Sequence, residues 1–268
     1  MRPSASLLLS ASLLSLALVA CGDDTGGSGG GGTGGGGQGG GATVQPVCTD
    51  PSDVVCEDQV VLLMNLQNDR APGLVGNTAD GAGWISTVDA TAGGAFTEDP
   101  HSYVYARFTD QGLVKVELSD EEALVSMDWD IAFRRYVVRI NSGNSGPSCV
   151  TAARVPGSEG YEALTSAPDD LTLRTDEYFT PPDSCEIIAD GTGLPGSPAT
   201  ALSSYWTYPG CVQMTGNVFV VQTADGRKLK LIVDSFYSAA AQEQCQTQAS
   251  VPASNSGSAN FSLRWSYL

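Results

Sequence analysis

The stretch MDWDIAFRRYVVRINSGNSG, residues 127–146, decides the fold of this chain. Its large apolar side chains alternate with small or charged ones, first at odd positions (Trp129, Ile131, Phe133) and then at even positions (Tyr136, Val138, Ile140). Alternation with period two is typical of a β-strand, and one bulge at Arg134 and Arg135 would keep both sets on the same face. Residues 129–136 also fit a helical spacing, but the β-branched run and the Gly, Ser and Asn turn that follow favour a strand.

Three further stretches outside this one predict strands. SYVYARF, a TDQG turn and LVKVEL form a hairpin over residues 102–118, and NVFVVQT, an ADGR turn and KLKLIVDSFY form another over 217–237. The last residues, NFSLRWSYL, alternate again, so the chain ends on a strand that should be paired and buried. These segments predict an all-β fold made of antiparallel sheets.

The remaining segments carry weaker signals. Residues 54–66 contain an apolar run that predicts an early strand, and residues 119–126 begin with a serine cap and acids that predict a helical turn or two. Residues 67–100 are interpreted as loop with short extended pieces at 84–88 and 94–96. Residues 147–216 are rich in turn residues, with DLTLRTD as one plausible strand and an aromatic patch at Tyr205, Trp206 and Tyr208. At most one short helix is expected.

The N-terminus has the pattern of a bacterial lipoprotein leader. An apolar run from Leu7 to Ala20 is too short to span a membrane and ends in Leu-Val-Ala before Cys21, so residues 1–20 are predicted to be a signal peptide. Cys21 would then carry the lipid, and Gly22 after it favours the outer membrane. Residues 21–43 are mostly glycine and predict a flexible tether spanning about 25 Å. Residues 44–268 are left as a single β domain.

Charge and cysteine content limit the classes of partner and of site. The formal net charge of −17 makes nucleic acid a poor partner. Six cysteines follow Cys21, and an even number in an exported chain predicts disulfides (Cys48, Cys56, Cys149, Cys185, Cys211, Cys245). Closure of local loops favours Cys48–Cys56, Cys149–Cys185 and Cys211–Cys245. With one histidine and no C-x-x-C spacing, no metal site of the zinc type is expected.

The motif WDIAFRRY followed by R-x-NSG-x-SG, together with VFVVQTADGRKLKLIVDSFY at 218–237, resembles the HmuY-like haem-binding lipoprotein family. The resemblance implies an all-β scaffold that grips haem at its edge between paired axial ligands. It also implies capture of haem or a related small ligand and its transfer to an outer-membrane uptake receptor. In this chain Pro147, Ser148 and Cys149 interrupt the glycine-rich turn, which predicts a disulfide-pinned loop.

Haem requires axial ligands from His, Met, Cys or Tyr, and often cations near its propionates. A bis-histidine site within one chain is excluded, because His101 is the only histidine. The candidate axial ligands are His101, Met127, Met214 and Met64. Arg134, Arg135 and Arg139 are candidate propionate contacts, although a structural role, pairing with Asp128, Asp130 or acidic neighbours, is the simpler one for them.

No catalytic motif is found, so the chain is predicted not to be an enzyme. The alternative to haem capture is a cell-envelope lipoprotein that keeps the scaffold without binding haem and serves adhesion or another ligand or protein. A flat aromatic surface around Trp206 would favour this alternative.

Overall fold

The computed structural model describes residues 45–91, 100–157, 160–180, 183–252, 254 and 256–268. The predicted signal peptide, lipidated cysteine and tether, and the extended piece expected at 94–96, lie outside these residues. Within the described part of the chain, no helix is long and apolar enough to cross a membrane.

The described residues form an antiparallel β fold, which confirms the predicted fold class. The strands, in chain order, are β1 (Val75–Asp80), β2 (Gly83–Asp89), β3 (Val104–Thr109), β4 (Gly112–Val116), β5 (Ile131–Arg134), β6 (Val137–Ile140), β7 (Thr151–Arg154), β8 (Trp206–Thr207), β9 (Gln213–Met214), β10 (Val218–Gln222), β11 (Lys228–Ser235) and β12 (Asn260–Tyr267). The helices are α1 (Glu57–Leu63), α2 (Asp120–Ala123), α3 (Ala239–Gln248) and one 3-10 turn at Ser203–Tyr205.

The strands make two main sheets and a short ribbon. The larger sheet has the order β1-β2-β12-β11-β10-β7, the smaller one has the order β4-β3-β5-β6, and β8 pairs with β9. Phe133 of β5 packs on Phe261 of β12 with ring centroids 5.2 Å apart, and Phe108 of β3 packs on Trp265 at 4.8 Å. Such aromatic contacts between the inner faces form the main core.

The smaller sheet is buried on both faces. Val104 and Phe108 of β3 face the main core, whereas Tyr105 joins a second cluster with Trp129, Tyr178 and Val60 of α1. Two apolar layers therefore cover β3 and β5, which explains why residues 127–140 are almost all buried or half-buried.

The central stretch is a hairpin and not one bulged strand. β5 pairs antiparallel with β6 in the register Ile131↔Ile140 and Phe133↔Val138, so both apolar sets reach the same face, as predicted, by reversal of the chain at Arg135 and Tyr136. Arg135 has a positive φ of 52°, which the tight turn requires. Trp129 precedes β5 and points into the second cluster, not into the main core with Ile131.

Both predicted hairpins and the final strand are present, as β3–β4, β10–β11 and β12. The predicted helical turn is α2, where Ser119 accepts from the amide of Glu122 in a capping box.

Other predictions are corrected by the structure. The apolar run expected as an early strand is the helix α1, and α3 is a further helix beyond the single one predicted. DLTLRTD forms no strand; Arg174 contributes one isolated bridge to Ala152. Val75–Asp80, within the stretch interpreted as loop from the sequence, forms the strand β1.

The disulfides join distant segments. Cys211–Cys245 agrees with the predicted pairing, but Cys48 pairs with Cys149 and Cys56 with Cys185, across separations of 101 and 129 residues. Local loop closure does not decide the pairing of Cys48 and Cys56, because the N-terminal segment packs against loops much later in the chain. Cys48–Cys149 pins the end of the NSGNSG turn, and Cys56–Cys185 holds the start of α1.

Candidate functional site

Arg134, at the end of β5, connects three separate segments. Its guanidinium donates to the backbone oxygens of Asn65 at 3.0 Å and His101 at 3.3 Å, and also to that of Met64. It forms an ion pair with Asp120 at 3.3 Å, whose carboxylate is fully buried. With its donors engaged in this way, Arg134 is committed to the scaffold and is a poor propionate contact.

Arg139, on β6, is fully buried. Its Nε donates to Ser145 Oγ at 3.1 Å and its Nη2 to the backbone oxygen of Ser145 at 2.6 Å. Both guanidinium groups lie over the Tyr103 ring, with that of Arg139 4.7 Å and that of Arg134 4.2 Å from the ring centre. Arg139 therefore fixes the NSGNSG turn to the sheet and cannot reach a ligand at the surface.

Two buried aspartates that the sequence did not single out compensate these arginines. Asp120 accepts from the Tyr105 hydroxyl at 2.7 Å and from the amide of Tyr103 at 2.8 Å. Asp176 accepts from Ser145 Oγ and from the amide of Ala201, each at 2.7 Å. Burial raises the pKa of the Asp176 carboxyl, although these donors and Arg139 oppose the shift.

The expected pairing of the arginines with Asp128 or Asp130 is wrong. Asp128 lies 3.8 Å from Arg107, and Asp130 is buried and accepts from the amide of Phe108 at 2.9 Å. Arg134 pairs with Asp120 instead, because β5 ends beside the first turn of α2, which carries Asp120.

Arg135 differs from the other two arginines. It stands at the tip of the β5–β6 turn, half-exposed, with its guanidinium 5.1 Å from the centre of the Tyr136 ring. Among the contacts of the described residues, its guanidinium takes part in no salt bridge. Of the three predicted propionate contacts, Arg135 is the one placed to meet an anionic group of a ligand.

His101 precedes β3, and its backbone oxygen accepts from Arg134 at the end of β5. Its side chain is 37% exposed, and its Nδ1 is paired with Asp69 Oδ2. Asp69 Oδ1 accepts from the amide of Ser102 at 3.1 Å. Partial burial would raise the pKa of Asp69, but the bonds from His101 and Ser102 outweigh it and the pKa is lowered. A carboxylate at Nδ1 orients the ring and leaves Nε2 as the nitrogen that can bind a metal.

The three methionines are separated in the fold. Met64 is buried in the second cluster at the end of α1, and Arg134 holds its backbone beside that of His101. Met127 is half-buried between α2 and β5. Met214 lies on β9 opposite Trp206, with its amide bonded to Gln246 at 2.7 Å. Met64 is therefore the methionine that the described contacts bring toward His101.

A cleft of about 580 Å³ lies between the start of α1 and the loop at Asp183–Cys185. Its lining is polar and acidic, with Glu57, Asp58 and Asp183, and lacks the apolar walls that a porphyrin requires. Within the described residues, no group of three or more His, Cys, Asp or Glu side chains is arranged to hold a metal ion.

The aromatic patch expected near Trp206 is largely internal. Trp206 is 1% exposed and Tyr205 is equally buried, whereas Tyr208 remains exposed. The Tyr205 hydroxyl donates to the backbone oxygen of Tyr136 at 2.6 Å, so these rings support the β5–β6 turn from inside. The residues that the structure describes therefore form no flat aromatic surface around Trp206.

The family model described as HmuY protein matches residues 99–250, which is more than half of the chain. This chain belongs to the HmuY family. The match contains His101 and the three arginines, whereas α1 with Met64, and the final strand, lie outside it. A search of curated proteins finds no match.

Three solved structures to which the chain is similar share low sequence identity with it. A protein of Bacteroides vulgatus described as HmuY-like and heme-binding has 16% identity and a TM-score of 0.43, covering 69% of this chain and 91% of that one. A protein of Bacteroides fragilis described as a lipoprotein has 17% identity and a TM-score of 0.44, covering 70% and 91%. The apo HmuY analog of Tannerella forsythia has 14% identity and a TM-score of 0.38, covering 74% and 98%.

Asp69, Asp120 and Tyr103 are the site residues that sequence reasoning missed. Asp69 is 32 positions from His101, and Asp120 is 14 positions from Arg134. No local spacing marks such pairs, because Asp69 and His101, like Asp120 and Arg134, come together only after the sheet has formed.

Proposed function

We propose that this HmuY-family chain binds haem, or a related planar ligand, without catalysis at the surface beside the β5–β6 turn. His101 serves as an axial ligand and Arg135 contacts a propionate. The observation that carries the proposal is the Asp69–His101 pair. Arg134 donates to the backbone oxygen of His101 and is followed directly by Arg135 at the tip of the turn.

The Asp69–His101 pair has the arrangement that metal-binding histidines favour. A carboxylate that accepts from Nδ1 fixes the tautomer and ring orientation and raises the basicity of Nε2. Haem would supply the iron that Nε2 binds. Asp69 is itself held by the amide of Ser102. The imidazole is therefore restrained before any ligand arrives, which lowers the entropic cost of binding.

The second axial position is less constrained by the structure. Met64 is our first choice, because Arg134 holds its backbone beside that of His101. Its side chain is packed in the second cluster, so binding would require it to rotate outward. Met127 and Met214 are the further candidates.

The sequence features of the N-terminus complete the proposal. Removal of residues 1–20, lipidation of Cys21 and a glycine tether over residues 21–43 would display the domain from the bacterial outer membrane. The domain would capture its ligand there and pass it to an uptake receptor. Support comes from the leader pattern and from the Bacteroides fragilis protein described as a lipoprotein.

Haem titration of the soluble chain from Gly22, followed by Soret absorbance, tests the proposal. We expect a saturable one-to-one shift that is lost in His101→Ala. In Asp69→Asn the affinity for haem should fall about 10- to 100-fold, because the imidazole of His101 loses its charged partner. Met64→Leu conserves packing and should change the Soret position if Met64 is the second ligand. Met127→Leu and Met214→Leu test the two further candidates in the same way, and the methionine variant whose Soret position changes identifies the second ligand.

A non-saturating rise that is the same in the wild type and His101→Ala would contradict haem binding. The second candidate function would then apply, namely an envelope lipoprotein that keeps the scaffold for protein contacts. The exposed aliphatic side chains of α1 are the observation that favours it.

A further inference from the structure

α1 carries an unusual set of exposed side chains. Val61, Leu62 and Leu63 follow one another on the helix, and all three are exposed, Leu62 to 68%. Val60 is the one buried residue of the helix. Val55, just before the helix, is also exposed. Contiguous exposed aliphatic side chains such as those of the last turn of α1 commonly mark an interaction surface, and within the described part of the chain nothing covers them.

The contacts that hold α1 leave this surface open. Val60 and Met64 pack beneath the helix, and the Cys56–Cys185 disulfide fastens its first turn. Arg134 binds the backbone oxygens of Met64 and Asn65 at its end. The helix is therefore anchored by a disulfide and by its backbone, while its aliphatic side chains remain outside.

The charges around α1 indicate what could cover it. Glu57 and Asp58 are exposed in the first turn, and the adjoining cleft adds Asp183. The segments 53–63 and 183–188 contain no Lys or Arg. A second copy of this chain, with a formal net charge of −17, and an anionic lipid surface would both be repelled. A surface that complements α1 must combine an apolar groove with a basic border.

We propose that α1 is a docking helix for a second protein, which receives Val61, Leu62 and Leu63 in an apolar groove bordered by Lys or Arg. Recognition of an exposed helix by an apolar groove is a common mode of binding. On α1, Leu62 lies roughly opposite the buried Val60, with Val61 and Leu63 on either side of it. The acidic border would steer the encounter and set its orientation. The proposal does not depend on haem. However, Arg134 links the end of α1 to His101, so a partner docked here would stand next to the proposed ligand site.

Site-specific photocrosslinking in cells that produce the full chain tests the proposal. A photoreactive residue replaces Leu62 in one variant, and Leu74 or Val125 in the controls, which are equally exposed apolar positions elsewhere. We expect an adduct with one other protein from position 62 and none from the control positions. The crosslinked peptide of the partner should contain apolar residues flanked by Lys or Arg. Combining the crosslinker with Glu57→Lys and Asp58→Lys should lower the yield about tenfold or more, because the steering charges are reversed.

The purified partner then supplies the second measurement. Its affinity for the chain should fall about tenfold or more in Leu62→Asp and stay unchanged in Val125→Asp, with mapping of the Cys56–Cys185 disulfide as the check that α1 is still anchored. Equal yields at all three positions, no adduct, an adduct with lipid or with a second copy, or insensitivity to the charge reversal would overturn the proposal. The haem titration is a separate measurement, so failure of either proposal is distinguishable from failure of the other.

Discussion

Three arginines that look equivalent in the sequence have different tasks in the structure. Arg134 and Arg139 both contact the Tyr103 ring and donate to buried oxygens, whereas Arg135 stands at the tip of the turn. The difference arises because neighbouring residues point to opposite sides of a strand, and because Arg134 is the last residue of β5 whereas Arg135 begins the turn. Alternation alone predicts that they diverge but not which one meets a carboxylate.

Arg134→Ala should lower the free energy of unfolding by about 3 kcal/mol. The substitution leaves the fully buried Asp120 carboxylate without its cation and several backbone oxygens without a donor. Chemical denaturation measures the change. Arg135→Ala is the matched control and should stay within about 0.5 kcal/mol of the wild type, since its side chain is not buried. Equal losses in the two variants would contradict the assigned roles.

Asp130 predicts a pH dependence of stability. Burial raises its pKa to about 6, although the amide of Phe108 and Arg107 oppose the shift. In the unfolded chain the pKa of this carboxyl is about 3.9. At pH values between the unfolded and the folded pKa, the folded state therefore binds more protons than the unfolded state. The contribution of Asp130 to stability is therefore fully present below the unfolded pKa and is lost as the pH rises through about 6.

The expected loss is about 2 kcal/mol between pH 4 and pH 7, and Asp130→Asn should remove it. Urea denaturation at a series of pH values measures the difference between the variant and the wild type. Asp128→Asn, at an exposed neighbour, should leave the pH profile unchanged. Parallel profiles for the wild type and Asp130→Asn would show that the carboxyl does not titrate as described.

At the scale of elements, the NSGNSG turn is determined by packing as much as by glycine's conformational freedom. A Cβ at Gly146 would lie 2.2 Å from Asn141 Oδ1 and 2.8 Å from the Trp129 ring. Asn141 donates from its side chain to the backbone oxygens of Ser126 and Trp129, at 3.0 and 2.9 Å. The turn therefore closes over the start of the hairpin and leaves no room for a side chain.

Gly146→Ala should consequently lower the unfolding free energy by about 1–3 kcal/mol, because Asn141 or Trp129 must shift. Gly160→Ala is the control, since a Cβ there meets nothing within 4 Å, and its effect should be near zero. Thermal denaturation of the two variants side by side provides the comparison. A neutral Gly146→Ala would mean that the turn can open without cost.

The disulfide at α1 predicts a local effect. Replacing Cys56 and Cys185 with serine removes a link across 129 residues, and an unfolding free energy lower by about 2–5 kcal/mol is expected. Hydrogen exchange over Glu57–Leu63 should rise more than over β5, because Val60 and Met64 are the main packing contacts left to the helix. Unchanged exchange in α1 would show that packing alone holds it.

For the whole molecule, β12 is the strand on which the larger sheet depends. It lies between β2 and β11 and contributes Phe261, Leu263 and Trp265 to the main core. Trp265 also donates to Ser86 at 2.9 Å, and Ser86 donates to Asn77 at 2.7 Å, a chain of bonds that reaches β1. The last residues of the chain thus hold the first strands in place.

Deletion of residues 260–268 should prevent folding. The sheet would be divided between β2 and β11, and the main core would lose Phe261, Leu263 and Trp265. Circular dichroism and limited proteolysis of the truncated chain test this expectation. A chain that keeps a protease-resistant core after the truncation would show that β1 and β2 are not needed by the rest.

The sequence by itself determined the strands at 104–116, 131–140, 218–235 and 260–267, together with the capping box at Ser119, because alternation and caps depend on residues close together in the chain. It also predicted that the cysteines after Cys21 are oxidised. Only the tertiary structure decided that residues 57–63 form a helix, that Cys48 and Cys56 pair with Cys149 and Cys185, and that Asp69 orients His101. Those outcomes depend on contacts between residues 32 to 129 positions apart, and no local pattern carries information about which distant surfaces meet.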